Sequence, residues 1–493
     1  MKVLIQLRHS PEVHAAAAAF AAVTPAVATT LPGVEVDPSF SPVQVPAVFP
    51  TEPGFALSLS HAVRFSMIPE QSTYLVRGTI PDEESAQRSA TATAYANPNV
   101  VGLFSDPQIA STIVCPGDPA VGDEADVARL LDVKRLADAG MDGDGVFVSV
   151  VDTGVNLDYL RGKGRKVRYS GRRSWTPAGV PTAPFQHPVD HGTMCAYDVG
   201  IGAPDARLLD YAVLLSRTPG ATAMAGLLSD AVAAYGRLLQ LMSEPGYRAR
   251  GMVVTNSWGM FSPFWDFPVG HPGNYSDNPA HPFNIVVASL ESAGADILFA
   301  AGNCGRDCPD SRCEFQARPI CGANSHPKVL SIAGIDTTKR RVGYSSQGPG
   351  RLDSRKPDVS AYTHFTGSGV FDPDPDGGTS AACPVAAGVV AAIRSRHPAS
   401  KISPADLRSL IFKTADDLGG MGWDFDHGWG AIDPGALVEA IERPTAATRR
   451  RTRATSKPTR AASRRPATAT KAARGAGRRS PPARRRSSAV KSS

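Results

Sequence analysis

The sequence predicts an α/β protein with a doubly wound, mainly parallel sheet flanked by helices. Between Gly145 and Ala440, short apolar runs alternate with helical stretches, which is typical of parallel strands buried on both faces. Two of these runs lead to polar side chains close to a glycine: Asp152, two residues before Gly154, and Asn303, directly after Gly302. A glycine-rich loop leads into an alanine-rich helix at Ser380. The clearest runs are Val146–Val151, Met252–Thr255, Ile297–Ala301 and Val329–Gly334.

The distribution of charge indicates a basic tail on an acidic body. Residues 443–493 hold 17 of the 52 Lys and Arg and no Asp or Glu, which leaves 35 basic and 46 acidic side chains, a net charge of −11, in residues 1–442. The tail contains almost only Ala, Thr, Ser, Pro, Gly, Lys and Arg, so it has nothing from which to build a core and is predicted to be disordered. Nonspecific nucleic-acid contact through this tail is one expectation. A solvated tail without a partner is the other, because no aromatic side chain is present to stack on bases.

Residues 1–118 are predicted to form a small α+β domain. Its strands and helices are expected at Lys2–Leu7, Pro11–Val23, Val34–Val36, Tyr74–Gly78, Glu83–Ala96 and Val100–Phe104. This β-α-β-β-α-β order fits a ferredoxin-like sandwich. Pro116-Gly117-Asp118-Pro119 then breaks the chain, so the predicted domains are 1–118, 119–442 and the tail 443–493.

Asp152 ends a buried strand and is followed by Thr153 and Gly154. A strand end of this kind can aim and desolvate a carboxylate. Aspartic peptidases present a carboxylate in a similar way but need two of them. No second Asp-Thr-Gly or Asp-Ser-Gly occurs, so such a dyad would require a symmetric dimer. An ordinary turn aspartate is the structural alternative.

His191, Ser380 and Asn303 are the other candidate reacting groups. His191 stands at a predicted helix start, and the unperturbed pKa of a histidine suits a base that works near neutrality. Ser380 follows a glycine-rich loop at a helix N-terminus, where backbone N–H groups favour negative charge, although it could simply cap the helix. Pro384 is expected to be tolerated because first-turn N–H groups have no intrahelical partner. Asn303 could donate to an oxyanion or be a plain loop residue.

In the order Asp, His, Ser, these motifs resemble the subtilase family over about Val127 to Glu442. The matching segments are Asp152-Thr153-Gly154, His191-Gly192-Thr193, Ala300-Ala301-Gly302-Asn303 and Gly378-Thr379-Ser380. The resemblance implies a subtilisin-like fold and a serine endopeptidase acting on protein or peptide substrates. In it, Ser380 would attack, His191 would shuttle the proton and Asp152 would orient His191, while Asn303 would help to bind the oxyanion.

The resemblance also implies which residues contact substrate. Ser257, Trp258, Gly259 and Gly302 would bind it, and Trp258 would either narrow the first specificity pocket or pack against its wall. Three positions depart from the family pattern without removing a reacting group: Asp190, Tyr197 and Ala381. The N-terminal domain resembles, in pattern only, the inhibitory propeptide of many subtilisins.

No cofactor is required for this chemistry. Structural calcium is possible, but no specific motif supports it. Asp372-Pro373-Asp374-Pro375-Asp376-Gly377 looks like the start of a calcium loop, yet its twelfth position is Cys383 rather than Glu, so no metal site is predicted. Four cysteines follow Asn303 at spacings that suit a disulfide pair or, with His326, a metal site; paired Cys-x-x-Cys spacing is absent. These cysteines are Cys304, Cys308, Cys313 and Cys321. Cys195 and Cys383 are expected to pack.

Localisation is predicted from the absence of a convincing leader. No run of 18 or more apolar residues occurs, so no membrane span is expected. His14–Ala28 is alanine-rich and could pass for the end of a signal peptide, yet Met1–Val13 is a poor start for one. A cytoplasmic address is therefore favoured over secretion. Two other functions compete with the enzyme: a catalytically silent subtilase fold that binds peptides, and a nucleic-acid-associated protein that acts through its tail.

Overall fold

The computed structural model describes residues 1–21, 31–50, 63–111, 118–215, 224–244, 247, 251–315 and 317–443. The helices are α1 (Pro11–Ala19), α2 (Glu84–Ala96), α3 (Glu124–Leu130), α4 (Val133–Asp138), α5 (Leu157–Gly162), α6 (His191–Gly202), α7 (Leu228–Ser243), α8 (Pro282–Ser292), α9 (Gly378–Arg396), α10 (Pro404–Thr414) and α11 (Pro434–Glu442). The strands are β1 (Lys2–Arg8), β2 (Glu35–Val36), β3 (Val43–Val45), β4 (Ala47–Pro50), β5 (Val63–Ser66), β6 (Thr73–Thr79), β7 (Val100–Ser105), β8 (Gln108–Ser111), β9 (Phe147–Asp152), β10 (Arg168–Tyr169), β11 (Arg207–Ala212), β12 (Ala225–Leu227), β13 (Met252–Asn256), β14 (Trp258–Gly259), β15 (Ala295–Ala300), β16 (Leu330–Ile335) and β17 (Val359–Tyr362). The predicted disordered tail lies outside the described residues, except for Arg443, and so does most of the predicted break before residue 119.

A seven-stranded parallel sheet forms the centre of the region that follows residue 118. Its order is β10-β11-β9-β13-β15-β16-β17, and each neighbouring pair runs parallel. Every residue of β9, β13, β15 and β16 is buried. One face packs against α6 and α9, and the other against α7 and α8. Burial on both faces explains why these strands read as continuous apolar runs, and the predicted doubly wound α/β architecture is confirmed.

The order of the strands brings three motifs to one edge of the sheet. β9 ends at Asp152, β13 ends at Asn256 and β15 ends at Ala300, three residues before Asn303. Because β9, β13 and β15 are adjacent and parallel, their carboxyl ends lie side by side. In open α/β sheets, the crevice outside these ends is where ligands bind.

Helices α6 and α9, which begin near His191 and Ser380, lie against each other at glycines. A methyl group at Gly388 would approach the carbonyl oxygen of Val199 to 2.5 Å, and one at Gly202 would approach the backbone of Gly388 to 2.8 Å. The two backbones therefore need glycine at this crossing. Close packing of these helices holds the imidazole and the hydroxyl on neighbouring helix N-termini.

Pro384 lies inside α9, so the prediction that it belongs to the first turn is wrong. The helix begins at Gly378, and a proline at position 384 removes the hydrogen bond that the carbonyl of Ser380 would otherwise accept. That carbonyl accepts instead from Ser257 Oγ at 2.9 Å. The proline thus leaves the carbonyl of Ser380 without a helical donor, and the side chain of Ser257, just after the end of β13, satisfies it.

The N-terminal region has its own antiparallel sheet. Its order is β2-β6-β1-β7, and β3 also pairs with β6. Helix α1 ends at Ala19, before the predicted end at Val23, because Phe20 adopts a left-handed conformation with φ +49° and its N–H caps the helix. The other five predicted elements of this region match observed ones within one or two residues at each end. Strands β3, β4, β5 and β8 were not predicted.

Residues 1–442 pack as one compact unit. Strand β8 leaves the N-terminal sheet and lies between β12 and β14, antiparallel to both. The predicted boundary at residue 118 therefore separates the N-terminal sheet from the seven-stranded sheet. The third sheet combines strands from both sides of that boundary. Within the described part of the chain, no helix combines the length and apolar character that a bilayer crossing requires.

Candidate active site

Asp152 and His191 form a buried hydrogen-bonded pair. His191 Nδ1 lies 2.7 Å from Asp152 Oδ1, and the two side chains are 5% and 1% exposed respectively. Thr153 holds both residues of the pair in position. Its N–H donates to Asp152 Oδ1 at 2.8 Å, and its Oγ1 accepts from Gly192 N, next to His191, at 2.8 Å. The carboxylate therefore fixes the orientation of the ring and requires the proton on Nδ1.

Carboxylates around the ring change its proton affinity. Burial by itself lowers the pKa of His191, but the charge of Asp152, the hydrogen bond with it and the charge of Asp190 together raise that pKa above its usual value. Asp190 caps the helix as well, since its Oδ1 accepts from His191 N at 2.8 Å. A residue that departs from the family pattern thus acts directly on the electrostatics of the imidazole.

Ser380 lies beside the pair, in the first turn of α9. Its Oγ donates to the carbonyl of Ser257 at the long distance of 3.5 Å. His191 Nε2 has no hydrogen-bond partner among the described residues. Cys195 Sγ lies 3.8 Å from both Asp152 Oδ2 and His191 Nδ1 and 3.6 Å from the carbonyl oxygen of Ser380, so the three predicted residues are brought together. Hydrogen bonds between a hydroxyl and an imidazole in such an arrangement often shorten only when substrate binds.

Asn303 is buried and held by Thr379, the residue before Ser380. Its Oδ1 accepts from Thr379 N at 2.9 Å and from Thr379 Oγ1 at 3.1 Å. This arrangement assigns Oδ1 to Thr379 and leaves the amide nitrogen as the donor side of the group. Thr379 Oγ1 also accepts from Gly302 N at 3.0 Å, and Gly302 has φ +97°, a conformation that glycine adopts readily. Sequence reasoning missed Thr379 as the residue that orients Asn303.

The predicted substrate-binding segment includes strand β14 and the buried side chain of Trp258. Trp258 is fully buried, its Nε1 donates to the carbonyl of Val151 at 3.0 Å, and its ring packs edge-on against Phe299. Of the two roles considered for Trp258, packing is therefore the one observed. Trp258 and Gly259 form β14, which pairs with β8.

The cysteines divide between packing and cross-linking. Cys304 and Cys313 form a disulfide in the loop after Asn303, so these two cannot act as zinc ligands. Cys195 and Cys383 are buried free thiols, as expected. Among the described residues, Asp152, His191 and Cys195 place one donor atom each within 4.8 Å of one another. Burial and then the charge of Asp152 raise the pKa of the Cys195 thiol well above its usual value, which disfavours the thiolate that a metal needs.

A parallel sheet with an aspartate–histidine pair at its carboxyl edge, and a serine at the start of a neighbouring buried helix, defines the class of subtilisin-like serine peptidases. The chain belongs to the subtilase family: the model of that family, Peptidase S8, matches residues 143–430. Subtilisin E of Bacillus subtilis (strain 168) is 24% identical over 306 residues, which cover 62% of this chain and 68% of subtilisin E. The subtilisin of Bacillus pumilus is also 24% identical, over 62% of this chain and 94% of its own length.

A solved structure supports the same fold. Fervidolysin from Fervidobacterium pennivorans, described as a keratinolytic enzyme related to subtilisin, superposes with a TM-score of 0.54 at 18% sequence identity. The match covers 89% of this chain and 60% of the fervidolysin chain. At this level of identity the likeness concerns the fold alone.

Proposed function

We propose that this protein is a serine endopeptidase that cleaves peptide bonds through an acyl-enzyme. The observation that carries the proposal is the buried hydrogen bond of 2.7 Å between Asp152 and His191, beside Ser380 at a helix N-terminus. Family membership supports serine peptidase activity. No organic cofactor enters this mechanism. In the segment that looks like the start of a calcium loop, both carboxylate oxygens of Asp376 accept hydrogen bonds from Ser368.

In the proposed mechanism, substrate binding brings Ser380 Oγ within reach of His191 Nε2. His191 removes the hydroxyl proton while Oγ bonds to the scissile carbonyl carbon, and the carbonyl π electrons move to oxygen. Asn303 and the N–H of Ser380 stabilise that oxyanion. The C–N bond then breaks as His191 returns its proton to the leaving amine. Water, deprotonated by His191, releases the acyl group by the same route, and Asp152 stabilises the imidazolium in both steps.

A serine-directed phosphonate probe tests the proposal. The probe should attach to Ser380 in folded wild-type protein, and mass analysis of peptides should locate it there. A catalytically silent peptide-binding fold would not be labelled even after the N-terminal region had been removed. Labelling before and after removal of that region therefore separates a blocked site from an inactive one.

We further propose that residues 1–118 act as an inhibitory propeptide of ferredoxin-like fold. Three contacts tie this region to the catalytic region. Asp106 Oδ1 accepts from Ser229 N at the start of α7 at 2.6 Å, Arg77 Nη1 lies 3.2 Å from Asp230 Oδ1, and β8 lies in the sheet with β12 and β14. Strand β8 runs next to Ser257 and would exclude a substrate strand from the same place.

Asn303→Ala and Asn303→Leu are expected to lower kcat by about 10²- to 10³-fold with a smaller change in KM, because the amide is proposed to act on the oxyanion of the transition state. Steady-state kinetics on a peptide substrate would measure this. Thr379 N also loses its acceptor, so thermal unfolding must be recorded beside the kinetics. A variant that unfolds normally and keeps wild-type kcat would contradict the assignment.

Asp190→Asn is expected to move the acid limb of the pH profile of kcat/KM to lower pH. His191 must be neutral to accept a proton, and the negative charge of Asp190 raises its pKa, so removing that charge lets the ring stay neutral in more acidic solution. Asparagine can still cap the helix. Asp158→Asn, whose side chain is 96% exposed in α5, is the matched control and should leave the limb in place.

Localisation stays a proposal. A cytoplasmic address was favoured from the sequence, but the Cys304–Cys313 disulfide supports secretion, because disulfides persist in oxidising compartments. Mass measurement of protein from its native source, with and without reductant, would decide between them. Nucleic-acid contact through residues 443–493 also stays a prediction, tested by whether DNA affinity falls steeply with salt only when those residues are present.

A further inference from the structure

Strand β8 ends beside the nucleophile. Ser111 lies opposite Trp258, the residue after Ser257, and Ser257 exchanges hydrogen bonds with Ser380 through its carbonyl and its hydroxyl. A substrate strand in the register of β8 would therefore place its next residue level with Ser257 and within reach of Ser380 Oγ. The residue at the position of Ala110 is then the third residue before the scissile bond.

The side chain of Ala110 is enclosed by other side chains. Successive side chains of a strand point to opposite faces, so Ala110 points away from the side taken by Ile109 and Ser111. Ala110 is fully buried in a cluster with Ala225 and Phe261, whose own exposures are 0% and 3%. Trp265, Cys304 and Cys313 pack against this cluster.

The loop that follows Asn303 forms one wall of the space around Ala110, and several contacts hold that loop in place. The disulfide joins Cys304 to Cys313, nine residues apart, and Asp310 N donates to the carbonyl of Asn303 at 2.8 Å. Glu314 N donates to the carbonyl of Phe261 at 3.1 Å, which fastens this loop to the segment after β14. The Cys304–Cys313 disulfide and the Phe261 ring are therefore held in place and cannot easily move to admit a larger side chain.

Arg312, in the same loop, contacts the neighbouring position on the strand. Its Nη2 donates to the carbonyl of Ser111 at 2.7 Å, and its guanidinium lies 4.9 Å from the centre of the Phe261 ring. Asp310 holds the guanidinium through bonds of 2.6 and 3.0 Å. Arg312 thus binds a main-chain carbonyl, and this contact does not depend on the side chain of the residue bound.

We propose that Ala225, Phe261 and the Cys304–Cys313 disulfide form a closed subsite that admits only a small side chain at the third residue before the scissile bond. The preferred substrates are peptides with alanine, serine or glycine there, and Arg312 binds the carbonyl of the residue that follows. This inference rests on the proposed function, because it assumes that substrates take the path of β8. Leucine or phenylalanine at that position would have to displace the disulfide loop or the Phe261 ring.

The test uses the full chain as purified and fluorogenic peptides of the form Ile-X-Ser-Thr, copied from residues 109–112, where X is Ala, Ser, Leu or Phe. The value of kcat/KM for X = Ala should exceed that for X = Phe by at least about tenfold. Each ratio compares two peptides on one preparation, so it does not depend on the fraction of chains whose cleft is open. The same peptides are used as competitors of phosphonate labelling, which gives a second readout.

Substitutions at Phe261, Cys304 and Cys313 test whether these residues limit the size of the side chain that the subsite admits. Phe261→Ala should reduce the preference for X = Ala over X = Phe toward unity, and Cys304→Ser combined with Cys313→Ser should reduce it in the same direction. Phe264→Ala is the matched control: this ring lies three residues further along and is 86% exposed, so its removal should leave the preference unchanged.

Two failures are distinguishable. If Ser380 is labelled but all four peptides react or compete equally, the closed subsite is wrong and the proposed peptidase stands. If folded protein is neither labelled by the phosphonate nor active on any peptide, even after the N-terminal region has been removed, the proposed function fails and the subsite fails with it. An unchanged preference in Phe261→Ala, in protein that unfolds normally, also overturns the assignment of the wall.

Discussion

Ser380→Ala is expected to lower kcat by about 10⁶-fold, the size of the loss when the nucleophile of the subtilisin triad is removed. The hydroxyl is the atom proposed to form the acyl-enzyme, and it lies in the first turn of α9. The methyl group of alanine fits the same space, since Ser380 is 1% exposed and its carbonyl still accepts from Ser257. Turnover on a peptide substrate and phosphonate labelling should fall together.

Ser331→Ala is a suitable control for that experiment. Ser331 is fully buried in β16, and its hydroxyl has no hydrogen-bond partner among the described residues, so alanine removes a comparable group away from the site. Turnover should be unchanged in this variant. Substantial activity in purified Ser380→Ala, free of any other peptidase, would refute the proposed mechanism.

Processing of the N-terminal region gives Ser380→Ala a second readout. If residues 1–118 are a propeptide removed by the enzyme itself, wild-type protein should shorten with time while Ser380→Ala stays at 51.8 kDa. Adding a small amount of wild-type enzyme should then test cleavage between molecules. Equal shortening of both proteins in isolation would show that another peptidase removes the region.

Asp152→Asn is expected to lower kcat by about 10⁴-fold while leaving the fold intact. The carboxylate accepts from His191 Nδ1 and stabilises the charged ring, whereas an amide can present an N–H to that nitrogen and favour the wrong tautomer. The lone pair on Nε2, which must receive the proton from Ser380, would then be replaced by an N–H. The loss should appear in kcat more than in KM, because it concerns the transition state.

Asp190→Asn makes the same chemical change one residue from the imidazole and is the matched control for Asp152→Asn. Asp190 caps the helix and raises the pKa of His191 but does not contact the ring nitrogen that Asp152 holds. It should therefore shift the pH profile without a large loss at its optimum. Similar losses in the two variants would mean that charge near the ring, rather than the tautomer, is what Asp152 supplies.

The sequence predicted the central sheet well because its strands are buried on both faces. Runs such as Val146–Val151 and Met252–Thr255 match β9 and β13 within one residue. Because neither face of these strands meets solvent, polar residues do not alternate with the apolar ones and the runs are easy to recognise. Short strands were missed. β8 is only four residues long, and its pairing partners lie more than a hundred residues away, so no local pattern distinguishes it from a loop.

Pro384 shows a second limit of sequence reasoning. A proline near a helix start is expected to occupy the first turn, and nothing local indicates that α9 begins at Gly378. The carbonyl that Pro384 leaves without a helical donor is satisfied by Ser257, which is 123 residues away in the chain. Such compensation depends on tertiary contacts and cannot be inferred from propensity.

The sequence by itself determined the family, the order of the motifs and the identity of the candidate reacting groups, because each motif is a short local segment whose residue types are fixed by chemistry. Only the tertiary structure decided which atoms meet. The adjacency of β9, β13 and β15, and the close crossing of α6 and α9 at Gly202 and Gly388, bring Asp152, His191, Asn303 and Ser380 to one edge of the sheet. Contacts between segments far apart in the chain decide where β8 pairs, how Trp258 is buried and what encloses Ala110. The local sequence does not reveal such contacts.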